Sequence, residues 1–403
     1  MGADRLGFSP GDIFREYCWN GPWRTIDCPY LNWQRVTDPR TTHEGARKYL
    51  PNPVNTIRID DLQQAVRAEC CLEQWGGHAG TSDKRIRINQ HQWIEIPESS
   101  LVGPERPESY QYMRYPVVPI PLEQLREGEN EFELSCGNQI SHLIHGIGWG
   151  QWGIYGVIFR IYYDPNKPHP DGQLGTPDWK DDRCFSIALE PGKAESSDRI
   201  DRIDFLGRYE DFDHNGDGQY REWHYRYRYG RLMDHLATVD DIPYQATIDT
   251  SWIPEQSEPM EIMARITDYG GTSRVSSIAE LPWRGGRETC RMYTPRDVPA
   301  CWQSRDGQRH SCIIDIPDNL DRATAARMLV STWNGYGAEE IGVNGEKLLP
   351  RIGRNHDFAL SRAEIPLSVL RTGENMIYTH GTTPHHGIEV LWPGPVIKVR
   401  YTT

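Results

Sequence analysis

Residues 120–130 read IPLEQLREGEN, and residues 365–375 read IPLSVLRTGEN. Eight of the eleven positions are identical, so the chain carries an internal repeat, and the repeat decides the architecture. Upstream of each copy lies a short alternating strand running into a tight turn, RIRINQHQW (85–93) and EIGVNGEKL (340–348). Downstream, alternating strands close each unit, GIYGVIFRIYY (153–163) and GIEVLWPGPVIKVRYT (387–402). Asn344-Gly345 is a hairpin signal, because both central positions of a type I′ turn need positive φ. The Gly-Glu-Asn that ends each copy marks the chain reversing into its next strand.

A chain of 403 residues is too long for one ordinary core, and the 37 Gly and 29 Pro are spread along it as many short strands and turns require. The class expected is all-β. A strand ending in VNG, followed by "PL..L..GEN" and another strand, is similar to galactose-binding-like jelly-roll domains, such as the accessory domains of many glycoside hydrolases. The resemblance implies two jelly-roll β-sandwiches, at 1–163 and 284–403, and domains of this kind either bind sugar or pack against their neighbours. Between them, PYQATIDTSWIPEQSEPMEIMARITDYGGTSRVSS (243–277) resembles the end of bacterial Ig-like or fibronectin-III-like modules. Its pieces MEIMARITD and TSRVSSI alternate around Gly270-Gly271, as a hairpin should. The central Ig-like module is therefore placed at 184–283, and the Pro/Gly/Asp-rich stretch 164–183 is read as a linker.

The sharpest chemical signal is DFDHNGDGQYRE, Asp211 to Glu222. It fits the twelve-residue calcium pattern, with Asp211, Asp213 and Asn215 at alternate positions, Gly216 at the turn, Asp217 offering its carbonyl and Glu222 closing the shell. The flanking sequence reads as strands, so the expectation is an EF-hand-like loop on the central module, holding a structural Ca2+.

Just after it, Tyr225, Tyr227 and Tyr229 alternate with His224, Arg226 and Arg228. A strand here would place three tyrosines on one face, to stack on sugar rings or to pack in a core, and a basic row on the other. Glycine-rich loops of the first unit hold His78, His142, His145, Trp149 and Trp152. The second unit holds His380, His385, His386, Glu389 and Trp392. His142, His145, His385 and His386 are the candidates for acid–base chemistry, and Tyr225, Tyr227, Tyr229, Trp149 and Trp152 those for ligand stacking. The Trp-rich start CWNGPWRTIDCPYLNW (18–33) gives no chemical reading.

Net charge is −13 with no basic stripe, which argues against nucleic acid as a partner. No apolar run approaches the roughly 20 residues of a membrane-spanning helix. The nine cysteines show no CxxC spacing; Cys18–Cys28 and Cys290–Cys301 or Cys301–Cys312 could form local bridges, with free buried thiols as the alternative. No GxSxG, HExxH or Walker-loop motif is present, nor a GxGxxG in a βαβ context.

The favoured function is carbohydrate recognition outside the cytoplasm (secreted or periplasmic), accessory to glycan breakdown or surface assembly, with calcium bracing the central module. A cytoplasmic location stays open, since MGADRLGFSPGD has no apolar signal core. Two other functions stay open: a β-sandwich glycan lyase or hydrolase, and an enzyme cyclising a small natural product in a pocket between modules.

Overall fold

The structure, a computed structural model, describes residues 7–21, 33–77, 81–97, 113–137, 152–192, 200–299, 301–334, 338–349, 352, 357–383 and 387–402. Among the described residues regular structure is almost entirely strand, with one short α-helix, Glu44–Arg47. The protein is all-β and built of packed sheets.

Three hydrophobic cores account for most of the buried side chains. The first gathers residues from Ile13 to Tyr163, around Trp152, Phe132 and Phe159. The second, from Phe185 to Leu281, surrounds Phe205 and Ile262, and the third runs from Tyr293 to Tyr401. In the first unit a four-stranded sheet, Val54–Ile59, Gly128–Ser135, Arg85–Ile88 and Ile94–Glu95, is one layer of the sandwich. The other layer contains Ile13–Asn20, Trp152–Tyr163 and Ala65–Trp75.

That second layer does not stop at the unit's border. Ile13–Asn20 also pairs with Thr272–Val275, which pairs with Met260–Asp268 and so leads to Ile200–Glu210, giving one twelve-stranded sheet shared by the first two units. Nor is 164–183 a free connection. Gly172–Leu174 and Asp178–Trp179 both pair with Cys184–Pro191, and Leu174 and Trp179 pack on the second core. Pro and Gly there punctuate edge strands rather than a linker.

The repeat has a shared physical cause. In the first copy the turn Leu122–Gln124 leads to Gly128 at φ 97°, and in the second Leu367–Val369 leads to Gly373 at φ 88°. Only glycine takes that conformation without strain. The asparagine two residues on is fully buried in both copies. Asn130 Nδ2 donates to the carbonyls of Arg126 (2.7 Å) and Gly128 (3.1 Å), and its Oδ1 accepts from Arg126 N (2.9 Å) and Asn89 Nδ2 (2.8 Å). Asn375 repeats the pattern with Arg371, Gly373 and Asn344 at 2.8–2.9 Å. Asn89 and Asn344 sit at φ 46° and 52°, a conformation asparagine tolerates better than most residues. Gly-Glu-Asn and the asparagine of the upstream turn are thus two halves of one amide pair, whose second member is buried.

The third unit packs a six-stranded sheet, centred on Ala323–Asn334 and Val396–Thr402, against a five-stranded one containing Gln308–Ile316, Gly373–Gly381 and Ala338–Val343. Smaller clusters weld the units together. Phe8, Phe14 and Tyr162 meet Leu206 and Met263, Trp33 and Tyr155 meet Phe358 and Leu391, and Phe212 meets Leu329 and Val396.

Candidate functional site

The tyrosine row does not form an open stacking face. Only Arg226–Arg228 is strand, and Tyr229 turns out of it at φ 49°. Tyr227 is 1% exposed, and its hydroxyl donates to Glu16 Oε1 at 2.7 Å. Tyr225 meets Tyr227 edge-on, and Tyr229 packs against Tyr155. The basic row is not solvated either, because Arg226 pairs with Asp234 and Arg228 with Asp357. Both faces are covered because the segment lies where the three units meet. Trp152 is likewise enclosed in the first core. His78, His142, His145, Trp149, His385 and His386 lie outside the described residues, as does Cys28.

Tyr227 belongs to a buried ionic network. Glu16 accepts from Arg160 Nη2 at 2.8 Å and Arg265 Nη1 at 2.9 Å; Arg160 also reaches Glu69 at 2.5 Å, and Arg265 reaches Asp204 at 2.7 Å. Burial pushes the Glu16 carboxyl up, but Arg265 and Arg160 outweigh it and hold it below its ordinary value. Asp204 is held low in the same way, against burial, chiefly by Arg265. Glu73 goes the other way: burial raises it more than the N–H groups of Gly230 and Tyr229 lower it. The network joins Glu16, Glu69 and Arg160 of the first unit to Asp204 and Arg265 of the second, which makes it a structural joint.

Cys18, Cys290, Cys301 and Cys312 are free, so neither local bridge among residues 290–312 is formed. Burial raises Cys301 to about 11 and Cys290 to about 12, leaving them protonated at neutral pH.

Residues 211–220 form the loop of a hairpin between Ile200–Glu210 and Arg221–Trp223, so the flanks are strands as expected. Gly216 and Gly218 take positive φ, and Asp213, Asn215, Asp217 and Glu222 are buried. Asp213 accepts from Asp217 N (3.1 Å) and Gly218 N (2.7 Å), which curls the loop around its carboxylate. Asp211 is placed differently from the twelve-residue pattern, since its carboxylate pairs with Lys398 of the third unit. The loop is also a docking element. Ser331 Oγ donates to His214 O at 3.4 Å, and Gly216 lies so close to Trp392 that a Cβ would sit 2.7 Å from its carbonyl oxygen.

A groove of about 680 Å3 opens on the outer face of the four-stranded sheet of the first unit. Trp93 and Arg47 line it, with Arg85 and Arg87 placed over the Trp93 indole at 4.9 and 4.7 Å. Arg87 makes a two-bond pair with Glu133, both at 2.8 Å. Among the described residues Arg85 Nε meets no hydrogen-bond partner. Three arginines against one glutamate give the groove a positive character in a chain of net charge −13. The signal for it lies in RIRINQHQW, whose alternation points Ile86 and Ile88 into the core and Arg85 and Arg87 outward.

The repeat supplies a built-in comparison. Arg87 lies opposite Glu133 in the first unit, and the matching pair in the third is Gly342 opposite Tyr378. The Tyr378 ring folds over Gly342, where a Cβ would meet it at 2.5 Å, and Arg309 caps that ring at 4.0 Å. Trp93 corresponds to Leu348 by its spacing from the turn asparagine. The same face is therefore open and cationic in one copy and filled by its own side chains in the other.

No protein-family model and no curated protein matches the chain. Solved structures similar to it are β-rich. One is a β-porphyranase of glycoside hydrolase family 86 from the human gut bacterium Bacteroides plebeius, at 12% identity, 59% coverage of this chain and 38% of that one, and a TM-score of 0.25. A β-glucuronidase from Ruminococcus gnavus in complex with D-glucaro 1,5-lactone aligns at 10% identity over 72% of this chain and 48% of that one, TM-score 0.23. The chicken CNTN1 FN1–FN3 domains align at 14% identity over 88% of this chain and 100% of that one, TM-score 0.20. The chain spans well under half of the β-porphyranase. At such TM-scores function is argued from this chain's own residues. No helix among the described residues is long and apolar enough to cross a membrane.

Proposed function

We propose that this protein recognises carbohydrate, through the groove of the first unit, and that its preferred ligands are polysaccharides bearing carboxylate or sulfate groups. The observation that carries this reading is the flat indole of Trp93 set beneath Arg85 and Arg87 in an open groove. A half-buried indole offers an apolar platform for a sugar ring, and guanidinium groups recognise carboxylate and sulfate by paired hydrogen bonds. The groove suits binding rather than turnover, because Glu133, its carboxylate, is committed to Arg87. In keeping with the resemblance stated above, the two outer sandwiches are read as jelly rolls, one binding and one docking.

Calcium is proposed as a brace of the hairpin loop, held by the oxygen atoms of Asp213, Asn215 and Asp217, which fit a hard cation. It has no part in the groove.

The test is isothermal titration of the intact protein with a panel of neutral, uronate-bearing and sulfated polysaccharides, alongside assay for soluble products. Saturable binding of the acidic members, lost in Trp93→Ala and in Arg85→Ala, is expected, with no products released. Equal binding of neutral glucans, or binding indifferent to Trp93, would overturn the assignment of the groove.

A further inference from the structure

The hairpin that carries the calcium-like loop brings together a second donor set of different chemistry. Glu222 and His224 are two apart on one chain segment and so share a face. The segment is fixed by the register Tyr209 to Glu222 and by His224 N donating to Gly207 O at 2.9 Å. The loop, closed by Asp211 N to Tyr220 O at 2.9 Å, brings His214 back to them. His214 Nδ1 lies 3.9 Å from Glu222 Oε1, and one ligand atom from each of the three residues falls within 4.8 Å of the others. All three side chains are buried.

We infer that His214, Glu222 and His224 form a binding site for a divalent transition ion of the zinc type. Two imidazoles and a carboxylate suit such an ion, whereas calcium prefers an all-oxygen shell. His224 carries the outer support that metal-bound histidines usually have. Its Nε2 lies 2.8 Å from Tyr209 O, so the Nε2–H points there and Nδ1 keeps its lone pair. The imidazole also packs against the Tyr209 ring, centroids 4.4 Å apart and tilted by 34°, which restrains the ring. Both histidines line a cavity of about 60 Å3, walled by Tyr225 and by Leu329, Leu360 and Arg362 of the third unit. That space admits a few waters but no sugar ring, so the ion's fourth ligand is water and its role is to stiffen the hairpin against the third unit.

This site is independent of the groove, and its test does not use a glycan. Metal-stripped protein, with all 403 residues present, is titrated with Co2+ and followed by visible absorption, then challenged with Zn2+ and with Ca2+. One equivalent of Co2+ is expected to give ligand-field bands, which Zn2+ erases and millimolar Ca2+ leaves in place. His214→Gln and His224→Gln are each expected to weaken Co2+ binding at least roughly tenfold. Because His224 is packed between units, His214→Gln serves as the variant whose fold is least at risk, with far-ultraviolet circular dichroism as its control. Absence of bands in the wild type, bands that survive His214→Gln, or displacement of Co2+ by equimolar Ca2+ would each overturn the proposal.

Discussion

Replacing Asn375 by alanine removes one buried amide and leaves its four hydrogen-bond partners in the third unit without it. The amide makes four hydrogen bonds of 2.8–2.9 Å, to Arg371 N and O, Gly373 O and Asn344 Nδ2, at a position with no solvent exposure. Each bond is worth about 1 kcal/mol net, and the groups left without a partner add desolvation cost, so a loss of about 3–4 kcal/mol is expected. The chain has several cores, so one unfolding midpoint would not report this loss cleanly. Amide hydrogen exchange read by peptide does. At about 1.4 kcal/mol per factor of ten, exchange across Gly373–Gly381 should quicken by roughly two to three orders of magnitude. Peptides across Gly128–Ser135, which hold the matching Asn130, should stay unchanged and act as the internal control. Asn130→Ala should reverse the pattern. The effects of Asn344→Ala and Asn375→Ala should be less than additive, because the first to go already breaks their shared bond. A change below about threefold in Asn375→Ala, or equal changes in both units, would refute the idea that the repeated Gly-Glu-Asn encodes a local amide clasp.

Trp93→Ala should lower affinity for an acidic polysaccharide at least about tenfold while leaving the melting temperature nearly unchanged, as titration and calorimetry would show. Lys398→Met should cost about 3 kcal/mol by leaving the Asp211 carboxylate without its cation, and urea unfolding should show the loss in the third unit. Millimolar Ca2+ should raise the melting temperature of the wild type but not of Asp213→Asn. Glu16 and Asp204 are both held below their ordinary values of 4.5 and 3.8, so the stability they contribute is fully present above about 4.5. That stability should drain away as pH falls through their lower folded values, and Glu16→Gln should flatten this acid limb in a pH series of unfolding curves.

How much of this was legible depended on the range over which each signal acts. The repeat, the Asn344-Gly345 turn, the Met260–Asp268 hairpin and the strands flanking the loop are local, and local chemistry sets them. The join of Ile13–Asn20 to Thr272–Val275 is a pairing of segments about 260 residues apart, and nothing in either segment announces it. Trp93 follows the turn and breaks the alternation of RIRI, so no period marks it as part of that face. The tyrosine row failed for a related reason. Alternation gives the two faces of a strand but not what covers them, and here Glu16 and Asp357, distant in sequence, claim Tyr227 and Arg228. His214 and Glu222 were counted within a calcium pattern, and only the curl of the loop shows that His224, beyond the pattern's end, belongs with them.

The two copies of the repeat show how one framework comes to hold different surfaces. The asparagine pair fixes the turn and the start of the following strand in both, so register on the outer face is the same. In the first copy that face carries Arg85, Arg87 and Trp93, with Glu133 steadying one guanidinium. In the third unit the Tyr378 ring lies against Gly342, in the position matching Arg87, and Glu340 ties to Arg309 and Lys347, so the described side chains fill that face. Its other sheet takes over a separate task, receiving Phe212, Asp211 and the backbone of His214 through Leu329, Val396, Lys398 and Ser331. If this division holds, Tyr378→Ala should uncover a shallow pocket beside Gly342 without conferring glycan affinity, because the cations and the indole are still missing. Glycan binding by that variant with Trp93 also replaced would mean that the third unit has a binding face of its own, and the assignment of recognition to the first unit would fall.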